Sequence, residues 1–172
     1  MTDPRVLWDI SYGLYAICCR DEANERSSGC IINTLMQVTA IPEQMAVSLS
    51  KENYTHKLVE KTGRFAVSIL SEETDPFVIS AMGFSSGEQR DKMAKLATIE
   101  TPGGIKIPSD NICGWIEFEV FGSADVGTHT IFLARHVASE KLSDKMPMTY
   151  KYYHDVIKGK APKKAPTYQA ST

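Results

Sequence analysis

No Cys-x-x-Cys pair, no glycine-rich phosphate loop and no long apolar run occurs in this sequence. Each absence removes a class of function. Without GxGxxG or Walker-type glycines, neither a repeating βαβ dinucleotide fold nor a P-loop site is expected. No apolar stretch approaches the roughly 18 residues that a membrane span needs. The start, Met1-Thr2-Asp3-Pro4-Arg5, carries no secretory pattern. An excess of one charge is lacking too. The 19 basic and 21 acidic residues give a net charge of −2 and are mixed along the chain, so no basic stripe points to nucleic acid. The one local basic excess, Lys158, Lys160, Lys163 and Lys164, reads as a solvated tail. Four cysteines (Cys18, Cys19, Cys30, Cys113) share no metal-ligand rhythm with the four histidines, and no metal site is assigned. They read as buried thiols of a reducing cytoplasm.

What is present reads as one domain with enough apolar residues for a core. Residues 8–19 place Ile10, Tyr12, Leu14 and Ala16 on one side, the alternation of a strand. The polar cluster 20–28 is a turn or hairpin loop, and 29–33 the returning strand of an antiparallel hairpin. Pro42 interrupts the chain before a strand at 45–49. Residues 53–63 form the clearest helix, with Asn53 at the N-cap, Leu58 and Val59 on the buried face and Gly63 as terminator. A buried strand follows at 65–70. Two short helical segments are expected within 75–95, split by Gly83-Phe84-Ser85-Ser86-Gly87, whose composition suits a backbone that approaches something closely. Turns are expected at 103–104 and 108–110, and two long strands at 113–123 and 130–141. Glu117 and Glu119 alternate with Ile116, Phe118 and Val120, which predicts a wet face. Residues 148–157 form a short aromatic-rich helix or turn, and 161–172 an extended linker. Seven or eight strands with about three short helices predict a mainly β fold, an antiparallel barrel with helical insertions.

Four polar segments lie at strand-to-loop transitions: 33–39, 48–55, 83–92 and 127–130. The stretch S-L-S-K-E-N-Y-T at 48–55 closes a strand and opens a helix, which is a ready phosphate site. Backbone N–H groups and the positive end of the helix dipole face the anion, and Lys51 adds a point charge. Each segment alone is also ordinary turn and cap chemistry. Together they suit a ligand with a phosphate and a flat ring. His129 in its turn is either a functional group or a simple hydrogen-bonding residue. His56, in the first helical turn, reads as neutral and exposed, and His136 and His154 as structural. No nucleophile–base–orienter set is visible and no catalytic residue is assigned. The carboxylates Glu72, Glu73, Glu117 and Glu119 read as solvated. A site rich in binding groups and empty of acid–base machinery suits a redox cofactor that carries the chemistry itself.

Five motifs in register then carry a resemblance. They are G-C-I-I-N-T-L-M-Q-V-T-A-x-P, A-V-S-L-S-K-E-N-Y-T-H-K-L, G-F-S-S-G-E-Q-R-D-K-M, G-T-H-T-I-F and Y-K-Y-Y-H-D-V-I-K-G-K-A-P-K-K-A-P-T-Y. In this order they resemble the flavin reductase-like, FMN-binding split-barrel family, and within it the flavin-reductase module of high-molecular-weight rubredoxins. The resemblance implies an antiparallel split barrel over 1–157 and an extended Pro/Lys-rich tail over 158–172. It implies that Asn33, Thr34 and Gln37 line the flavin ring, while Ser48, Ser50, Lys51, Asn53 and Thr55 surround the ribityl phosphate. Phe84, Ser85 and Lys92 would come from the loop, His129 from the late turn, and Tyr152 or Tyr153 would cover the ring from this or a partner subunit. The family turn carries an acidic residue before the histidine, where this chain has Thr128. A homodimer with the site at the subunit interface is expected by the same resemblance. In that subgroup the tail leads to a four-cysteine iron site; no such pair occurs here, which implies a separate acceptor.

The leading expectation is therefore an FMN oxidoreductase that takes hydride from NADH or NADPH. Its acceptor would be free flavin, a ferric chelate, rubredoxin or a flavodiiron-type protein. The alternative is a non-catalytic, flavoredoxin-like FMN electron carrier. An oxidase of the pyridoxamine-phosphate type would need clustered cations beside the flavin, whereas the six arginines are scattered. A flavin-free binding barrel would be colourless.

Overall fold

The computed structural model describes residues 2–160 and Thr167. A short 3-10 helix at Pro4–Asp9 leads into β1 (Tyr15–Asp21), β2 (Arg26–Ile32), β3 (Leu35–Ala40) and β4 (Glu43–Ser50). Then come α1 (Tyr54–Thr62), β5 (Arg64–Leu70), α2 (Pro76–Gly83), β6 (Thr98–Glu100) and β7 (Lys106–Pro108). The chain continues through β8 (Ile112–Asp125), β9 (His129–Lys141) and α3 (Tyr150–Asp155). Seven strands form one antiparallel sheet in the order β2-β1-β5-β8-β9-β4-β3, and β6 pairs with β7 separately. The two outermost strands, β2 and β3, are joined by Asn33 and Thr34 alone. Two residues can span only a short gap, so the sheet must curl until its edges meet at that corner.

The strands bury one face inside this curl. Ile17, Cys19, Cys30, Ile32, Val47, Leu49, Phe65, Val67, Phe118, Phe132 and Ala134 form the interior, and Leu58 and Val59 of α1 pack into it. At its centre the rings of Phe65 and Phe118 lie 5.1 Å apart. Helix α1 ends where the Gly63 N–H donates to the Val59 carbonyl at 2.9 Å. Gly63 there has φ +65°, a conformation open to glycine without strain. On the outer face, Val78 and Met82 of α2 and Ile105 and Ile107 beside and within β7 cover Cys18, Ala66 and Trp115. The mainly β, antiparallel barrel expected from the sequence is therefore the fold.

Several local expectations are corrected. Residues 8–14 do not extend β1. Asp3 caps a 3-10 turn by accepting from the Arg5 N–H at 3.0 Å, and Trp8 and Ile10 are about half exposed. Residues 35–40 form a strand, β3, whose exposed edge hides the alternation that would have marked it. The hairpin β6–β7 was not legible either, since each strand has only three residues. Residues 88–95 are a run of turns and not a second helix. Glu117 is 1% exposed: the 101–105 turn folds over it, and its carboxylate accepts from the Gly103 N–H at 2.9 Å. Most of the 158–172 tail lies outside the described residues.

Candidate functional site

A cavity of about 410 Å³ opens where the corner between β2 and β3, the start of α1 and the loop after α2 converge. That volume falls within the roughly 300–1,000 Å³ of small-molecule and cofactor sites. Its apolar wall comes from Leu14, Ile31, Ile32, Leu49 and Ile79, and its aromatic side from Phe84, Tyr150 and Tyr153. The polar groups gather at the α1 start. Asn53 occupies the N-cap, yet its side chain makes no capping hydrogen bond. The first N–H groups of a helix have no partner within it, so those of Tyr54 and Thr55 are left for a ligand or solvent. Thr55 is 2% exposed and Ser50 5%, and both line the cavity. Across from them, Lys92 Nζ donates to the Gly29 carbonyl at 2.9 Å and the Met82 carbonyl at 2.7 Å. Burial lowers its pKa from the ordinary lysine value. Burial likewise raises the Cys30 thiol, while a hydrogen bond with Thr55 works in the opposite sense.

The cavity brings together ten of the residues singled out in the sequence: Asn33, Thr34, Ser48, Ser50, Asn53, Thr55, Phe84, Ser85, Lys92 and Tyr153. Their present partners differ. Thr34 spends its hydroxyl on the Ser48 carbonyl at 2.9 Å, which fixes the corner. Asn33 Nδ2 donates to Thr167 Oγ1 at 2.6 Å, and Phe84 is 56% exposed at the mouth. Gln37, Lys51, His129 and Tyr152 are not part of the lining. Gln37 is exposed on β3 and donates to the Thr39 carbonyl. Lys51 reaches across β9 to Asp125 at 2.7 Å, a bond that holds the Asp125 carboxyl below its usual pKa. Tyr152 packs against the cluster around Leu70 and Met148. His129 stands opposite Ser50 in the β4–β9 register. Its Nδ1 meets Thr128 Oγ1 at 2.8 Å, and its Nε2 is buried without a partner among the described residues.

His56 is 5% exposed, against the expectation of an exposed ring. Its Nε2 meets Thr130 Oγ1 at 2.8 Å and its ring packs on Phe132. Burial pushes its pKa below the ordinary histidine value. In the unfolded chain the ring protonates near pH 6.5, so the unfolded state binds more protons just below that pH. Stability present above about pH 6.5 is then lost as pH falls through the lower folded pKa. Urea midpoints are expected to drop below pH 6.5, with a shallower drop in His56→Gln.

The flavin reductase like domain matches residues 8–159 of this chain. The chain belongs to that family. It is 38% identical over 166 residues to a ferric-chelate reductase (NAD(P)H) of Archaeoglobus fulgidus, covering 96% of this chain and 97% of that one. It is 35% identical over 166 residues to a high molecular weight rubredoxin of Moorella thermoacetica, covering 96% and 72%. The fold is similar to that of the NADH:FAD oxidoreductase of Streptomyces globisporus, with a TM-score of 0.77 at 17% identity, covering 87% and 90%.

The cavity's own donor set matches the phosphate and the ring of a flavin nucleotide, the cofactor of this flavin reductase-like family. Uncapped N–H groups at a helix start, two buried hydroxyls and a half-buried ammonium suit a phosphate. The apolar and aromatic walls suit a ring, and the buried, unpartnered His129 Nε2 stands beside the lining residue Ser50. The residues fit. Sequence reasoning missed Cys30, Ile31 and Ile32, although their place directly before Asn33 in β2 was a usable signal. Tyr54 lies inside the same helix-start motif. Ile79 and Lys160 gave no signal, because only packing of α2 and the chain after α3 brings them to the cavity.

Proposed function

We propose that this chain is an NAD(P)H-dependent flavin reductase that holds FMN in the cavity and passes electrons to a flavin, iron or redox-protein acceptor. The observation that carries the reading is that one cavity with apolar and aromatic lining also holds the uncapped α1 start, Ser50, Thr55 and Lys92. The bound flavin would supply hydride and electron transfer itself. The protein's part is to bind, orient and exclude water. The α1 start, Ser50, Thr55 and Lys92 take the phosphate end, Asn33 and Thr34 the ring edge, and Tyr153 with Phe84 its flank. Gln37, Lys51, His129 and Tyr152 would act from the rim, His129 through its free ring nitrogen. A single phosphate end in about 410 Å³ favours the mononucleotide over the larger dinucleotide flavin.

A homodimer accords with the exposed Met36, Val38 and Ile41 on and beside the edge strand β3, a patch that a second copy would cover. Four free, buried cysteines accord with a cytoplasmic setting. Residues 158–172 are proposed as a C-terminal tail that reaches the cavity through Lys160 and Thr167, and rubredoxin or a flavodiiron-type protein as a separate acceptor.

Anaerobic addition of NADH or NADPH to the FMN-loaded protein tests the reading. Prompt bleaching of the visible flavin band is expected. A flavin that stays oxidised with both nucleotides, yet is reduced by another redox protein, identifies a flavoredoxin-like carrier instead.

A further inference from the structure

Asp21 and Arg26 face each other as register partners where the β1–β2 hairpin closes. Neither lines the cavity, yet each grips one of its walls. Asp21, 1% exposed, accepts the Tyr54 hydroxyl at 2.9 Å and Asn24 Nδ2 at 2.8 Å. Tyr54 is the first residue of α1, the helix whose Asn53 provides no side-chain cap. On the other side, Arg26 Nη2 donates to the Gly87 carbonyl at 2.7 Å. Gly87 lies so close to β2 that a Cβ on it would come within 1.8 Å of Ser28 Oγ. The two residues carry opposite charges in register, yet they form no ion pair among the described residues. Asp21 Oδ1 and Arg26 Nε are each buried without a partner. Such groups normally find partners when buried, and these two would have been the obvious match for each other. Their better-placed atoms are committed to the walls instead.

We propose that Asp21 and Arg26 are positioning residues that set the gap between the α1 start and the 84–87 loop, and with it the fit of the cofactor's phosphate end. This inference rests on the FMN reading above. Asp21 acts through Tyr54 on the helix start, and Arg26 through the Gly87 carbonyl on the loop.

FMN titrations by fluorescence quenching, with amide hydrogen exchange on the flavin-free protein, test the proposal. Asp21→Leu and Arg26→Met should each weaken FMN binding about 5- to 10-fold. Turnover at saturating FMN should stay within about twofold, because the loss falls on binding and not on the transition state. Asp21→Asn keeps an acceptor for the Tyr54 hydroxyl and should bind within about twofold of wild type. Exchange should rise at residues 54–56 in Asp21→Leu and at 85–88 in Arg26→Met. Should Asp21→Leu fail to fold, Tyr54→Phe removes the same hydrogen bond. Wild-type FMN affinity in Asp21→Leu and Arg26→Met overturns the proposal, and so does an Asp21→Asn as weak as Asp21→Leu. A wild-type protein that binds no FMN overturns the cofactor reading itself, and this proposal with it.

Discussion

A Lys92→Met variant is expected to bind FMN about 100-fold more weakly and to lose about 2–3 kcal/mol of stability without flavin. The ammonium ties the loop after α2 to β2 through the Met82 and Gly29 carbonyls, at 2.7 and 2.9 Å. Hydrogen bonds to a charged donor contribute about 1.5–3 kcal/mol each, and partial rehydration of the freed carbonyls recovers some of that. The affinity loss has a second origin. Lys92 is a half-buried cation that lines the cavity and has no carboxylate partner within 4.0 Å among the described residues. It is therefore free to balance an anion. Urea unfolding of the flavin-free variant reads the first effect and equilibrium dialysis against FMN the second. Lys92→Arg should restore part of the affinity, since a guanidinium can still donate to a carbonyl and a phosphate, though with a different shape.

A Thr55→Val variant should lose about 10- to 100-fold in FMN affinity with little change in thermal midpoint. Valine keeps the branched shape of a side chain that is 2% exposed, so the packing around it survives. What disappears is the hydroxyl at the second position of α1, beside N–H groups that the helix leaves unpaired. Lys51→Ala provides the contrast. Its ammonium is held by Asp125 at 2.7 Å, so its removal should change FMN affinity by less than about threefold. Isothermal titration of both variants with FMN checks the pair. A Lys51→Ala that matches Thr55→Val would mean that the ammonium leaves Asp125 when flavin binds.

The same contrast shows how far the sequence could be read. The S-L-S-K-E-N-Y-T stretch announced a strand that feeds a helix start, and its serines and threonine do line the cavity. The direction of Lys51 was not legible. It depends on β4, β9 and β8 lying side by side, which brings Asp125 within reach of a residue 74 positions earlier. His56 and Glu117 failed for a related reason. Each sits where local chemistry predicts exposure, at a helix start and on an outward strand face. A distant part of the chain then covers it: Thr130 and Phe132 for His56, the 101–105 turn for Glu117. Helix α1 and the long strands β8 and β9 were legible because periodicity and Gly63 act locally. Strand β3 was not, since its side chains from Met36 onward are exposed and leave no alternation to read. Asp21 and Arg26 looked like parts of one polar turn. Only the hairpin register and the two walls around it give them distinct tasks.

The central claim is that one cavity, built by the β2–β3 corner, the α1 start and the loop after α2, holds a flavin. Fluorescence titration of FMN into the wild-type protein, Thr55→Val and Lys92→Met, side by side, tests it most directly. Saturable quenching at one FMN per chain is expected in the wild type, with a marked rightward shift in both variants. Absent quenching in the wild type, or three superimposable curves, would contradict it.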